Sequence, residues 1–249
     1  MAKQNGFLKI EGTLDNLIFY KRDGTYYVRK KGGISKERIH HEPNFIRTRE
    51  NNSEFGSCGS SGKMLRQALG TLIIRAKDSQ LHSRLLSVLL QIKNCDTLSV
   101  RGKRNVATGI ATTEGKQLLM GFNFNANALL NTVLHAAYDL NTSTGAITIT
   151  ALRPAKQISY PNGATHVSFQ SAVCVVDFET QAHEVAYSAV VNFTLNLTPT
   201  SFSLLPTHIP NITGTQLFLL SLTFYQEING VQYALKEDGF NVLGVVGVV

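Results

Sequence analysis

Phe7 to Gly12 alternates apolar and polar residues, and Leu17 to Arg22 and Thr25 to Lys30 form two further short runs on either side of Asp23-Gly24. Alternation sends successive side chains to opposite faces, so each run predicts a strand. Asp-Gly supplies the positive φ values that a two-residue hairpin turn demands. A β-ribbon is therefore expected, ending at Lys31-Gly32-Gly33. From Pro43 the period lengthens. Phe45, Ile46, Arg49 and Phe55 recur at near-helical spacing; Met64, Leu65, Ala68, Leu69, Leu72 and Ile73 form an amphipathic stripe. Leu81, Leu85, Val88, Leu89 and Ile92 form another, with Asp78 or Ser79 placed to cap it. Between the first helix and the second lies Gly56 to Gly62, small enough either to break a helix or to admit another backbone closely.

After a short helical stretch around Glu114 to Met120, the period changes to that of strands. Ala146 to Leu152, His166 to Asp177, His183 to Leu197, Gln216 to Tyr225 and Val231 to Leu235 are rich in Val, Thr and aromatics, with Gly- and Pro-bearing turns between them. With the longer runs folding back, they predict an antiparallel sandwich of roughly seven strands. The expected fold class is α+β: an N-terminal basic β-ribbon plus helices (1–104), then a C-terminal antiparallel β-sandwich (105–249).

Charge sharpens this division. Residues 1–104 hold 20 of the 24 Lys and Arg and 9 of the 17 Asp and Glu, a balance of +11, whereas residues 105–249 hold 4 and 8, a balance of −4. A surface so basic suits an anionic partner or an acidic surface on a neighbouring subunit. The candidate contacts are Lys21, Arg22, Arg29, Lys30 and Lys31 on the ribbon, beside Phe19, Tyr20, Tyr26 and Tyr27, together with Arg101, Lys103 and Arg104 in a later basic turn. Cations could neutralise phosphates while a tyrosine stacked on bases, which makes nucleic acid a second candidate partner. Alternation places half of these aromatics in a core.

Catalytic patterns fail on inspection. Ser57 to Met64 resembles a phosphate loop only at Gly62-Lys63, since Ser57 stands where the first glycine is needed and Met64 where the magnesium-binding hydroxyl is needed. Ser60 to Lys63 spells SxxK without the KTG and SDN elements of serine acylases. His40-His41 lack the i, i+4 spacing of a helical metal site. Glu50 and Glu54, one helical turn apart, are expected to form surface ion pairs with Arg47 and Arg49. No catalytic residue, metal ligand or cofactor follows, and an enzyme is not expected. Cys58, Cys95 and Cys174, an odd number without CxxC spacing, fit reduced thiols. No signal-peptide core and no run of about 18 apolar residues is found, so a cytoplasmic protein without a membrane partner is expected.

The blocks KIEGTLDNLIFYK, YYVRKKGG, RTRENNSEFG and SVRGKRNV, with ISYPNGATHVSF and YSAVVNF further on, resemble a family of uncharacterised proteins from Bacteroidota. The resemblance spans most of the chain and implies a bacterial, non-secreted setting. It brings no catalytic residues with it.

The function these features predict is that of a structural subunit, a homo-oligomer forming a ring, tube or filament. The charge split gives one molecule two complementary surfaces, the β-part offers sheet edges, and the chain closes on GFNVLGVVGVV, apolar and uncharged. Val245, Val246, Val248 and Val249 are expected to pair with a sheet edge, either in a neighbouring subunit or as a last strand of the chain's own sandwich.

Overall fold

The computed structural model describes residues 2–236 and 239–249. The chain divides into two compact units, 1–49 and 50–249.

The first unit is a small antiparallel sheet followed by a short helix. Its strands are β1 (Ala2–Lys3), β2 (Gly12–Leu14), β3 (Leu17–Arg22) and β4 (Thr25–Lys30), in spatial order β1-β4-β3-β2. The expected hairpin is present: Asp23 and Gly24 both have positive φ, 49° and 76°, the geometry that matches strand twist. Phe7 to Glu11, expected as strand, is not one. A second tight turn at Asp15-Asn16, with Asp15 at φ 48°, folds Gly12–Leu14 onto β3 and leaves Phe7 97% exposed. Helix α1 (Lys36–His41) is capped by the Ser35 hydroxyl, which accepts from the Arg38 amide. At its other end, Arg49 donates to the carbonyls of Ile39 and Glu42 at 2.7 and 2.9 Å.

The second unit opens with α2 (Ile46–Ala68), which starts just before the boundary, and continues with α3 (Gly70–Ile73), α4 (Leu81–Asn94), α5 (Val106–Ile110), α6 (Thr113–Leu119) and α7 (Leu130–Val133). Of the two readings of the GSCGSSG run, close approach holds. The run lies inside α2, where Ser60 and Ser61 donate back to the carbonyls of Gly56 and Ser57. A Cβ on Gly62 would come within 3.2 Å of Leu89 Cδ1, so glycine lets α2 lie close to α4. There is accordingly no phosphate loop.

The strands that follow are β5 (Asp139–Asn141), β6 (Ala146–Leu152), β7 (His166–Val176), β8 (His183–Tyr187), β9 (Val191–Thr194), β10 (Thr200–Leu204), β11 (Thr215–Ile228), β12 (Val231–Ala234) and β13 (Val242–Val248), with α8 (Pro154–Gln157) between β6 and β7. β7 and β11 pair along their length and form the centre of a six-stranded antiparallel sheet; β8 and β9 flank β7, and β12 and β13 flank β11. β5, β6 and β10 form a second sheet. Ile147, Ile149 and Leu152 of the small sheet share a core with Phe169, Leu220, Leu222 and Phe224 of the large one. This is the expected α+β fold with a C-terminal sandwich.

The other face of the large sheet carries the helices: Leu65, Leu69, Leu85, Leu89 and Ile92 share a core with Ala172, Cys174, Leu217 and Leu219. The change at residue 104 is thus a boundary of charge. Packing joins residues on both sides of it, because the sheet is apolar on both faces and needs a cover on each.

The C-terminal run pairs within its own chain. β13 runs antiparallel to β11, Leu217 opposite Val248 through Leu222 opposite Val242. Its other edge bonds to Gly121, Phe122 and Phe124. Val245 and Val248 are buried, and Val249 exchanges backbone bonds with Gln216. Of the two expectations for Val245, Val246, Val248 and Val249, pairing with a neighbouring subunit is therefore corrected and a strand of the chain's own sandwich holds: both backbone edges are already occupied. Gly247 is required there, because a Cβ would collide with Leu140 and Phe218. Among the described residues, no helix is long and apolar enough to cross a membrane.

Candidate interaction surface

Residues 1–49 contain 11 Lys and Arg and 5 Asp and Glu, a balance of +6 out of the +7 of the whole chain. Residues 50–249 hold the other 13 Lys and Arg against 12 Asp and Glu, a balance of +1, so the cut at residue 104 separates the charge more fully than the structural boundary does. Not one described residue of this unit is buried. The aromatics expected in a core are only partly covered.

Pairing fixes which side chains share a face, because residues directly opposite in a ladder point the same way. Tyr20 faces Tyr27, Ile18 faces Arg29, Arg22 faces Thr25 and Lys3 faces Tyr27. On this side Arg22 and Arg29 flank a pair of stacked tyrosine rings, Tyr20 and Tyr27, with centroids 5.7 Å apart, and the Arg29 guanidinium lies 5.8 Å from the Tyr20 ring. No carboxylate stands among the strand residues of this face. Lys3, which sequence reasoning missed, completes it; only the register of β1 against β4 reveals its place. Leu14, Leu17, Phe19 and Val28 fall on the opposite side with Lys21, Tyr26 and Lys30. There the Lys21 ammonium lies 5.3 Å from the Tyr26 ring. Lys31 follows the last strand and is exposed. Of the five ribbon cations, the four within strands are therefore divided, Arg22 and Arg29 on a cationic face and Lys21 and Lys30 on an apolar one.

Arg101, Lys103 and Arg104 belong to the second unit, and two of them have other partners. Arg104 makes a two-pronged contact with Glu54, Nε to Oε1 and Nη2 to Oε2 at 2.9 Å each. Lys93 Nζ donates to Glu54 Oε2 at 2.7 Å, and the Gly102 amide donates to Oε1 at 2.7 Å. Arg101 stands 3.4 Å from Glu50. Arg101 and Arg104 are thus corrected from partner contacts to tethers of the 101–104 turn. Lys103 is exposed and, of the three, is the one without an ion pair among the described residues. Glu54 is only 3% exposed, so the expected surface pairing with Arg47 or Arg49 is replaced by an internal one. Its carboxyl is held down to about 2, first by the Arg104 hydrogen bond, with Lys93 and the Gly102 amide adding to it against the cost of burial.

Cys58 and Cys174 are buried free thiols, and burial pushes the Cys174 thiol up to about 12. A thiol so protonated is a poor nucleophile. No known protein family, curated protein or solved structure matches the chain.

Proposed function

We propose that the protein is a non-enzymatic structural subunit that self-associates, with the N-terminal sheet of one copy docking on the second unit of the next. One observation carries this reading: a four-stranded sheet in which nothing is buried. Phe7, Leu8, Ile10, Leu14, Leu17 and Ile34 are all exposed. A sheet of this size needs a covered apolar face for stability, since the entropy of ordering it is offset chiefly by burial. A second copy supplies a cover of the right charge. The second unit as a whole balances at +1, but its residues 105–249 carry −4, and Asp177, Glu179 and Glu184 cluster in sequence about the turn from β7 to β8. The β11–β12 hairpin adds exposed Ile228, Val231 and Tyr233. Contact between two unlike surfaces is head-to-tail, which closes into a ring or continues as a filament.

The reading predicts particles whose mass falls as salt rises, because exposed charges are screened beyond a Debye length of about 8 Å at physiological ionic strength. Replacing Phe7 and Leu8 by Ser, or Arg22 and Arg29 by Glu, should shift the protein towards monomer without altering the melting of the second unit. Light scattering and sedimentation decide it; a monomer at every concentration in low salt would remove the proposal. A second reading rests on the cationic face around Tyr20 and Tyr27, where the one ion pair among the described residues is that of Arg22 with Asp23 of the turn, at 3.5 Å. Affinity for oligonucleotides that survived in the Phe7→Ser, Leu8→Ser protein but vanished with Arg22→Glu, Arg29→Glu would favour nucleic acid instead.

A further inference from the structure

The helix-facing side of the large sheet changes character along its length. On β7 the residues on this side run Ser168, Gln170, Ala172, Cys174, Val176, and the residues opposite them on β11 run Thr223, Ser221, Leu219, Leu217, Thr215. The apolar part lies in the helical core. Beside α3, the part with hydroxyls and amides instead floors a cavity of about 290 Å³. A second cavity of about 370 Å³ adjoins it, sharing Arg75 and Thr223.

Two of these side chains are unexplained by the fold. Ser221 is 5% exposed and Thr223 7% exposed, and both line the cavity. Ser168 and Gln170 have partners, Asn192 at 2.8 Å and the Ser188 carbonyl at 3.2 Å. The hydroxyls of Ser221 and Thr223 have none among the described residues and open onto the cavity; they are not enclosed, since Arg84 Nε is the one buried side-chain nitrogen or oxygen without a partner among the described residues. At the junction of the two cavities, Arg75 has no carboxylate within ion-pair distance among the described residues. Its guanidinium donates to the Tyr225 hydroxyl at 3.3 Å, which among the described residues leaves most of its donors unused. Lys77 adds a second cation, and no carboxylate is found among the described lining residues.

We propose that this groove binds a small polyol carrying an oxyanion, a phosphate or a carboxylate, with the anionic head on Arg75 and the hydroxyls on Ser221 and Thr223. Arginine suits the head because its planar donors match two oxygens at once. Hydroxyl groups suit the floor because each can both donate and accept. The site lies wholly within the second unit and does not depend on the proposed self-association.

Isothermal titration of the full chain tests it with glycerol 3-phosphate, glycerate, inorganic phosphate and neutral glycerol. Saturable heat is expected from glycerol 3-phosphate or glycerate, the stronger of the two identifying the head group, with weaker binding of phosphate and none of glycerol. Arg75→Ala should weaken the better ligand at least about tenfold, the loss of one charge-assisted contact. Ser221→Ala with Thr223→Val should weaken it severalfold while leaving the ligand-free melting temperature unchanged or higher, since no internal hydrogen bond is lost. The proposal is overturned if neither polyol anion saturates at millimolar concentration, or if Arg75→Ala binds as well as the natural protein. Equal binding of glycerol would likewise overturn the assignment of Arg75.

Discussion

Deletion of Gly244 to Val249 yields protein that is insoluble or melts without a cooperative transition. The segment buries Val245 and Val248 and pairs with Leu217 to Leu220. Burying a valine contributes about 1.5–3 kcal/mol, and each internal backbone group left without a partner costs about 1–3 kcal/mol. Several such groups on β11 and on residues 121–122 would be orphaned together. Their sum reaches the whole stability of a typical domain, about 5–15 kcal/mol. Solubility and calorimetry check this. A truncated protein with the melting temperature of the full chain would show that β13 is dispensable.

Glu54→Gln should destabilise the second unit by about 3–5 kcal/mol, the usual cost of removing one partner from a buried ion pair. For about 200 residues this lowers the melting temperature by on the order of 10 °C. Lys93, itself 7% exposed, would face a neutral amide, and Arg104 would lose its two-pronged contact. Acid should act on the natural protein in the same direction. The Glu54 carboxyl is lowered from 4.5 to about 2 in the folded state, so its stabilisation is complete above pH about 4.5 and is lost as pH falls towards about 2. Denaturation midpoints measured across that window should slope less in Glu54→Gln than in the natural protein. Parallel slopes would mean that the carboxyl is not held down by its partners.

The contrast between Glu54 and the hairpin shows what the sequence made legible. Asp23-Gly24 is a local signal: turn chemistry and alternation lie within a dozen residues, and the strands formed where expected. So did β6 and β7, whose branched and aromatic residues mark them without reference to the rest of the chain. The partner of Glu54 lies 39 and 50 positions away, while Arg47 and Arg49 are near in sequence, and proximity in sequence was the only guide available. The C-terminal run stayed open between two readings for a related reason. Its composition identified a strand, but whose edge it meets depends on the β11 register and on residues 121–124, neither of which leaves a periodic trace. The groove at Arg75 was partly visible. In HVSFQSAVCVV the residues Ser168 and Gln170 interrupt what becomes a continuous apolar run, although only pairing with β11 sets Ser221 and Thr223 beside them.

The place of β13 bears on how the protein is made. The other described strands leave the ribosome before Val242–Val248, yet this segment lies between β11 and residues 121–124. Until it emerges, one edge of the central sheet stands open, and Leu217, Leu219 and Phe122 lack a neighbour that later covers them. The nascent chain therefore passes through an interval in which its stickiest edge faces solvent. Completion of the core waits for Val242–Val248 to emerge, and a pause in synthesis just before Val242 would lengthen that exposure.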